Sequence, residues 1–396
     1  IWRSLSRSTG EGRLVVPGMD KPLKLDSLSL SERDFYRDSS ASNHGGVTIN
    51  DGEMAERQKS FIARTLKSVG SKFFEGKPIT ELSLHVSVFE SRSFLEKLVD
   101  DWDFLPTYLT RAALATDPVE RLKLVSAFVI SGFYRSASLS KPFNPILGET
   151  YQARWKDGTE IFLEQSSHHP PVTHWVTRHP QGLFTFMGFC MFNGRICYLE
   201  NCVKTRRHGC NIIEFQDGSR LVVTMPLMAL RGLIFGERRV EFLGAFTVYD
   251  EKNGLVADFS LNLDQKFLGV FGSSASRQSD VFRGVIYKPD ESQGNLFKFS
   301  GLMRATTNGE KYSPYLNEAL LDTPGIEMRT EADIANAVKV LTAEKKTLPI
   351  PRGLSRKSKA AAAAKGPTVI CTAEGTYMGY LDFGEERYWD IRKVKP

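Results

Sequence analysis

The stretch Glu164-Gln165-Ser166-Ser167-His168-His169-Pro170-Pro171 sets two adjacent histidines before two prolines. Imidazole N–H groups donate hydrogen bonds, and histidine takes up charge near neutral pH. The prolines fix φ and cannot continue a strand ladder. His168 and His169 are therefore expected at a rigid strand end, with their rings presented into a cleft or mouth. A second unusual stretch lies upstream, Lys141-Pro142-Phe143-Asn144-Pro145-Ile146-Leu147-Gly148-Glu149-Thr150. Lys141 supplies a compact cation with three donors, and Asn144 an amide donor. Cation, amide and imidazole pair together are a phosphate-binding set.

Other chemistries fit these residues less well. Glu164, His168, His169 and His174 suggest a metal site, and a metal-dependent hydrolase is the alternative function. Adjacent histidines on a strand point to opposite faces, however, so both reach one ion only at a kink. Ser166 and Ser167 adjoin His168, but sequence neighbours rarely take up triad geometry, and no GxSxG elbow occurs. No enzyme activity and no catalytic residue is expected. His174 and His179 read as ordinary strand-and-turn residues. No Gly-rich phosphate loop and no GxGxxG between strand and helix is present, which disfavours a nucleotide fold. No cofactor and no metal is expected. The five cysteines are Cys190, Cys197, Cys202, Cys210 and Cys371. With His208 four of them share a short window, but without zinc-finger spacing. Reduced thiols of a cytoplasmic protein are the simplest reading.

The 396 residues are 41% hydrophobic and 25% charged, enough for one large domain or two smaller ones. The net charge of +6 suits an anionic membrane surface or a phosphorylated ligand. It is too weak to argue for nucleic acid. No apolar run approaches the ~18–20 residues of a membrane span, and no signal-peptide pattern opens the chain. Membrane contact is expected to be peripheral. The chain opens on Ile1 rather than Met, so a longer parent protein is expected.

Elements that could position the two stretches follow from periodicity. Residues 1–48 have no sustained period and read as disordered. Residues 54–74 read as a basic amphipathic helix, with Phe61, Ile62, Leu66, Val69 and Phe73 on its apolar side. Such a helix packs on a core or covers an apolar opening and touches anionic lipid. Residues 90–135 read as helical, with Asp117-Pro118 as an N-cap and first turn. From about 151 to 303 the period is two, and Asp157-Gly158, Asn193-Gly194, Asp217-Gly218 and Asn253-Gly254 read as hairpin turns. Expected strands include 159–164, 183–192, 195–203 and 295–303. The fold class is mainly β with flanking helices. A meander this long is expected to curl into a large antiparallel β-barrel around an apolar tunnel, which suits a lipid. Residues 346–396 read as a basic linker and a C-terminal tail whose aromatics dock back.

The octapeptide ending in Pro171 resembles the signature of the oxysterol-binding-protein-related lipid-transfer family. Lys141-Pro142-Phe143-Asn144-Pro145 with Leu147-Gly148-Glu149 is similar to that family's second loop motif. The likeness covers about residues 55–345. It implies a domain over 49–345 and a barrel tunnel closed by an N-terminal lid, here 54–74. It implies exchange of phosphatidylinositol 4-phosphate with a sterol or phosphatidylserine at membrane contact sites. A sensor or scaffold without net transport remains open. By the resemblance Lys141, Asn144, His168 and His169 contact the phosphates, with Pro145 in the same motif. Lys345 fits a lysine on the family's C-terminal helix, and Arg352 is an offset replacement for its arginine. Pro349 stands near that helix's glutamate position and, with Pro351, breaks the helix. The protein is expected to be a cytoplasmic monomer.

Overall fold

Period-two sequence dominates the computed structural model, which describes residues 35–48, 89–137, 140–197, 200–209, 211–233, 235–261, 278–289 and 368–394. The chain divides into two units, Ile1–Lys298 with Gly366–Pro396, and Phe299–Lys365. Every element below belongs to the first. The expected lid over 54–74 and the expected strand 295–303 lie outside the described residues.

Seventeen strands are described: β1 (Val47–Thr48), β2 (Phe89–Ser93), β3 (Lys141–Phe143), β4 (Thr150–Arg154), β5 (Glu160–His168), β6 (Pro171–Arg178), β7 (Phe184–Cys197), β8 (Cys202–His208), β9 (Asn211–Phe215), β10 (Arg220–Val223), β11 (Leu227–Arg231), β12 (Arg239–Asp250), β13 (Leu255–Leu261), β14 (Val281–Lys288), β15 (Thr368–Thr376), β16 (Tyr380–Phe383) and β17 (Glu386–Asp390). All but β2 and β3 join one antiparallel sheet. Its path runs β4-β5-β6-β7-β9-β10-β12-β13-β14-β15-β16-β17, with β8 and β11 bridging β7 to β12 and β1 beside β12. Among the described residues no pairing joins β4 to β17, so the sheet is seen as an open path rather than a closed barrel.

Three of the four Gly turns fall where the hairpin chemistry puts them. Gly158, Gly218 and Gly254 sit at φ 90, 75 and 64 between paired strands, backbone that suits a residue without Cβ. Asn193-Gly194 is different. It lies inside β7, where Gly194 opposes Thr205, and β7 runs on to Cys197 before β8 begins at Cys202. The expected strand 195–203 is thereby split. Pairing of Met191–Cys197 with Cys202–His208 overrides the local turn preference.

The helices among the described residues are α1 (Phe94–Asp100), α2 (Leu105–Leu114) and α3 (Pro118–Ser136). Residues 90–93, expected as helix, are extended because β2 pairs in parallel with β3, and Ser93 then caps α1. Asp117 Oδ1 accepts from Val119 N at 3.0 Å, and Pro118 fills the first turn of α3. Gly132 lets α3 approach closely, since a Cβ there would stand 2.3 Å from the Asp101 carbonyl oxygen. Trp102, which follows α1, packs on Trp175 and Phe186, and Phe128 of α3 also meets Phe186. Phe133 stacks on Phe242 at 4.6 Å. One sheet face is thus taken by the helices.

The opposite face carries one apolar row between charged and polar ones, with Glu160 opposite Arg178 and Glu164 opposite His174 flanking it on β5 and β6, and Glu214 opposite Arg220 on β9 and β10. Cross-strand partners run Phe162, Val176, Met187, Ile212, Val222, Tyr249, Val256 and Tyr287 in one row from β5 to β14. Strand alternation sets this row away from Trp175 and Phe186, so helix packing does not account for it.

Within the segment 1–48, expected as disordered, residues 35–48 pack on the sheet. Arg37 pairs with Asp280 at 2.6 Å, and Asp38 N donates to Met378 O at 2.8 Å. The described part of the C-terminal tail contributes β15 to β17, burying Tyr377, Tyr380, Phe383 and Trp389.

Candidate functional site

The two histidines stand at the strand end that their prolines impose. β5 stops at His168 and β6 begins at Pro171, with a cis bond between His169 and Pro170. A bulge between Gln165 and Ser167 interrupts the β5–β6 register just before the pair. The reversal brings the imidazoles together, with ring centroids 4.6 Å apart at 61°. His168 is half-buried and His169 exposed. His168 Nδ1 is buried with no hydrogen-bond partner, a group that a ligand oxygen would satisfy.

The lysine loop is held by β2. Phe89 opposes Lys141 across the parallel pair, and Phe89 and Phe143 stack at 4.9 Å. Lys141 Nζ lies 4.7 Å from the Phe89 ring centroid, a cation–π contact. It donates to Asn144 Oδ1 at 2.6 Å and to Pro142 O at 3.3 Å. Burial pushes its pKa down to about 8, because desolvation disfavours the charged ammonium. Asn144 therefore spends its oxygen on orienting Lys141, and its amide nitrogen remains as the donor. Pro145 is buried beneath the loop.

Gln165 and Glu149 join loop to strand. Gly148 N donates to Gln165 O at 2.8 Å, and Gln165 N to Glu149 O at 2.9 Å. The buried Gln165 side chain accepts from Thr173 Oγ1 at 2.6 Å and donates to Ser167 O at 2.9 Å, bracing the bulge. Glu149 accepts from Ile146 N at 3.0 Å and from Ser93 Oγ, tying the loop to the cap of α1. Residues 144–149 and 165–169 thereby share one end of the sheet. Lys345, Arg352 and the apolar lid residues Phe61, Ile62, Leu66, Val69 and Phe73 lie outside the described residues.

Gln165 and Glu149 lie inside the two motifs, yet the sequence assigns neither a task. Their signal was a buried-type polar residue flanking each stretch. Phe89 carried no signal, since a parallel pairing across some fifty residues is not written locally. Ser166 meets a histidine, but it is His174 across the sheet at 2.7 Å rather than its neighbour His168. His179 is buried against Phe184, and burial lowers its pKa despite Asp157 nearby. Among the described residues no three His, Cys, Asp or Glu side chains gather in a metal-holding group.

Residues 70–326 match the family model described as Oxysterol-binding protein. The chain is 36% identical over 283 residues to oxysterol-binding protein 9 of Dictyostelium discoideum, covering 70% of this chain and 65% of that protein. It is 35% identical over 217 residues to oxysterol-binding protein-related protein 5 of Mus musculus, covering 51% of this chain and 23% of that one. The chain thus spans less than two thirds of the length of these relatives. Its fold is similar to a crystal structure of the Osh3 ORD in complex with PI(4)P from Saccharomyces cerevisiae. That likeness has a TM-score of 0.51 and 19% identity, and covers 90% of this chain and 69% of that one.

Proposed function

Because this chain belongs to the oxysterol-binding protein family, whose members bind and transport lipids and are not enzymes, we propose that it extracts phosphatidylinositol 4-phosphate and exchanges it for a second lipid, a sterol or phosphatidylserine. The observation that carries this reading is the joint between the lysine loop and the histidine strand. Two backbone hydrogen bonds, Gly148 to Gln165 and Gln165 to Glu149, join the loop that follows Lys141 and Asn144 to the strand that ends in His168. An ammonium, an amide and two imidazoles offer a phosphomonoester charge-assisted donors from several directions. A lumen for acyl chains is carried over from the family, and each CH₂ buried there contributes about 0.8 kcal/mol.

The protein works at anionic membrane surfaces as a peripheral monomer, and no described helix is long and apolar enough to cross a bilayer. The test is extraction of phosphatidylinositol 4-phosphate from liposomes by the double variant H168A/H169A. It should fold and lose extraction. Undiminished extraction would sink the headgroup assignment. Transfer between two liposome populations separates exchange from sensing.

A further inference from the structure

The loop that carries Lys141 also carries the most exposed apolar patch of the described residues. Ile146 is 70% exposed, Leu147 65% and Phe143 44%. Scattered exposed apolar side chains are ordinary, but three of the seven large ones described fall within five residues, beside a cation. The backbone under them is tied down: Ile146 N binds Glu149 Oε2, Glu149 N binds Ile146 O at 3.0 Å, and Gly148 N binds Gln165 O. Phe143 is fixed by its stack on Phe89. With the Ile146, Gly148 and Glu149 amides paired, the loop holds Ile146 and Leu147 outward on a braced backbone.

We propose that Phe143, Ile146 and Leu147 form a membrane wedge that enters the interfacial zone of an anionic bilayer. The occupant is set by what adjoins the patch. Lys141, whose ammonium lies over the Phe89 ring on which Phe143 stacks, supplies positive charge at the base of the apolar tip, the arrangement by which interfacial segments bind anionic lipid. The wedge rests on the lipid-transfer reading and deepens it: insertion beside the clamp lowers the headgroup donors to the phosphate plane while the tip loosens lipid packing.

The test uses the variant I146S/L147S of the full chain and two separate probes. The first is flotation with phosphatidylcholine–phosphatidylserine vesicles lacking phosphoinositide, which reads insertion without the headgroup site. The second is binding of water-soluble dioctanoyl phosphatidylinositol 4-phosphate, which reads the headgroup site without a bilayer. Burying these two side chains favours membrane association, so their loss should weaken vesicle partition by about tenfold or more. Soluble ligand should bind I146S/L147S within about twofold of the parent. In L147W, emission should shift to the blue on vesicles and be quenched by brominated acyl chains beyond the parent's response. Vesicle partition unchanged in I146S/L147S overturns the wedge, as does self-association of the parent through this loop with no vesicle binding. Loss of soluble-ligand binding in I146S/L147S also overturns it, because the loop would then belong to the clamp itself. Failure of the parent to bind the soluble ligand refutes the headgroup reading instead and leaves the vesicle result standing by itself.

Discussion

Lys141 makes phosphoinositide binding a function of pH above neutrality. Its ammonium is desolvated by the loop and held near pKa 8. About nine tenths of the free protein carries the charge at pH 7, about half at pH 8 and about a tenth at pH 9. A bound phosphate favours the protonated form, so the complex titrates higher and binding takes up a proton. Affinity must then fall as pH rises, by about tenfold between pH 7 and pH 9. The fall ends where neutral lysine has lost its charge-assisted bond, about 1.5–3 kcal/mol or a factor between about 10 and 150. The monoester is already dianionic above pH 7, since its second pKa is about 6, and does not add to the slope. The assay is calorimetric titration with dioctanoyl phosphatidylinositol 4-phosphate at half-unit steps from pH 7 to 9.5. Lys141→Arg is the control, because a guanidinium stays charged throughout. Its absolute affinity is free to differ, but its profile should be flat. A flat profile for the parent, or an equal decline in Lys141→Arg, would show that Lys141 does not meet the phosphate.

Gln165→Leu should lower stability by about 1–3 kcal/mol, because Thr173 Oγ1 and the Ser167 carbonyl lose their buried partner. It should also weaken headgroup binding by loosening the bulge, and a melt and titration that both match the parent would remove Gln165 from the positioning role. Arg37→Ala strips the Asp280 carboxylate, fully buried, of its guanidinium. The expected loss is about 3–5 kcal/mol in urea unfolding, and a loss below about 1 kcal/mol would mean that Thr376 Oγ1 and Gly46 N suffice for that carboxylate.

Much of the fold was legible because its signals are local. Asp157-Gly158, Asp217-Gly218 and Asn253-Gly254 each demand a positive φ within two residues, and Asp117-Pro118 caps a helix within three. Asn193-Gly194 carries the same dipeptide signal and misleads, since fourteen residues of β7 run straight through it. There the partner strand β8 decides, through backbone bonds to residues that the local window does not contain. Residues 90–93 show the same limit: helical spacing yields to a parallel partner at 141–143. The strands at 368–390 were readable only as an aromatic tail, because what makes them strands is β14, some eighty residues earlier.

The site divides along the same line. Donor types, their rigid proline flanks and the family likeness belong to the sequence by itself, since valence, charge and φ restriction travel with each residue. Only the tertiary structure decided that the His168 and His169 rings meet at 4.6 Å, that Asn144 turns its oxygen to Lys141, and that Lys141 is desolvated to a pKa of about 8. It also left Ile146 and Leu147 bare beside that lysine. Each of these is a property of distance and solvent exclusion, set by the pairing of β2 with β3 and the turn of β5 into β6, and neither distance nor exclusion is carried by any residue alone.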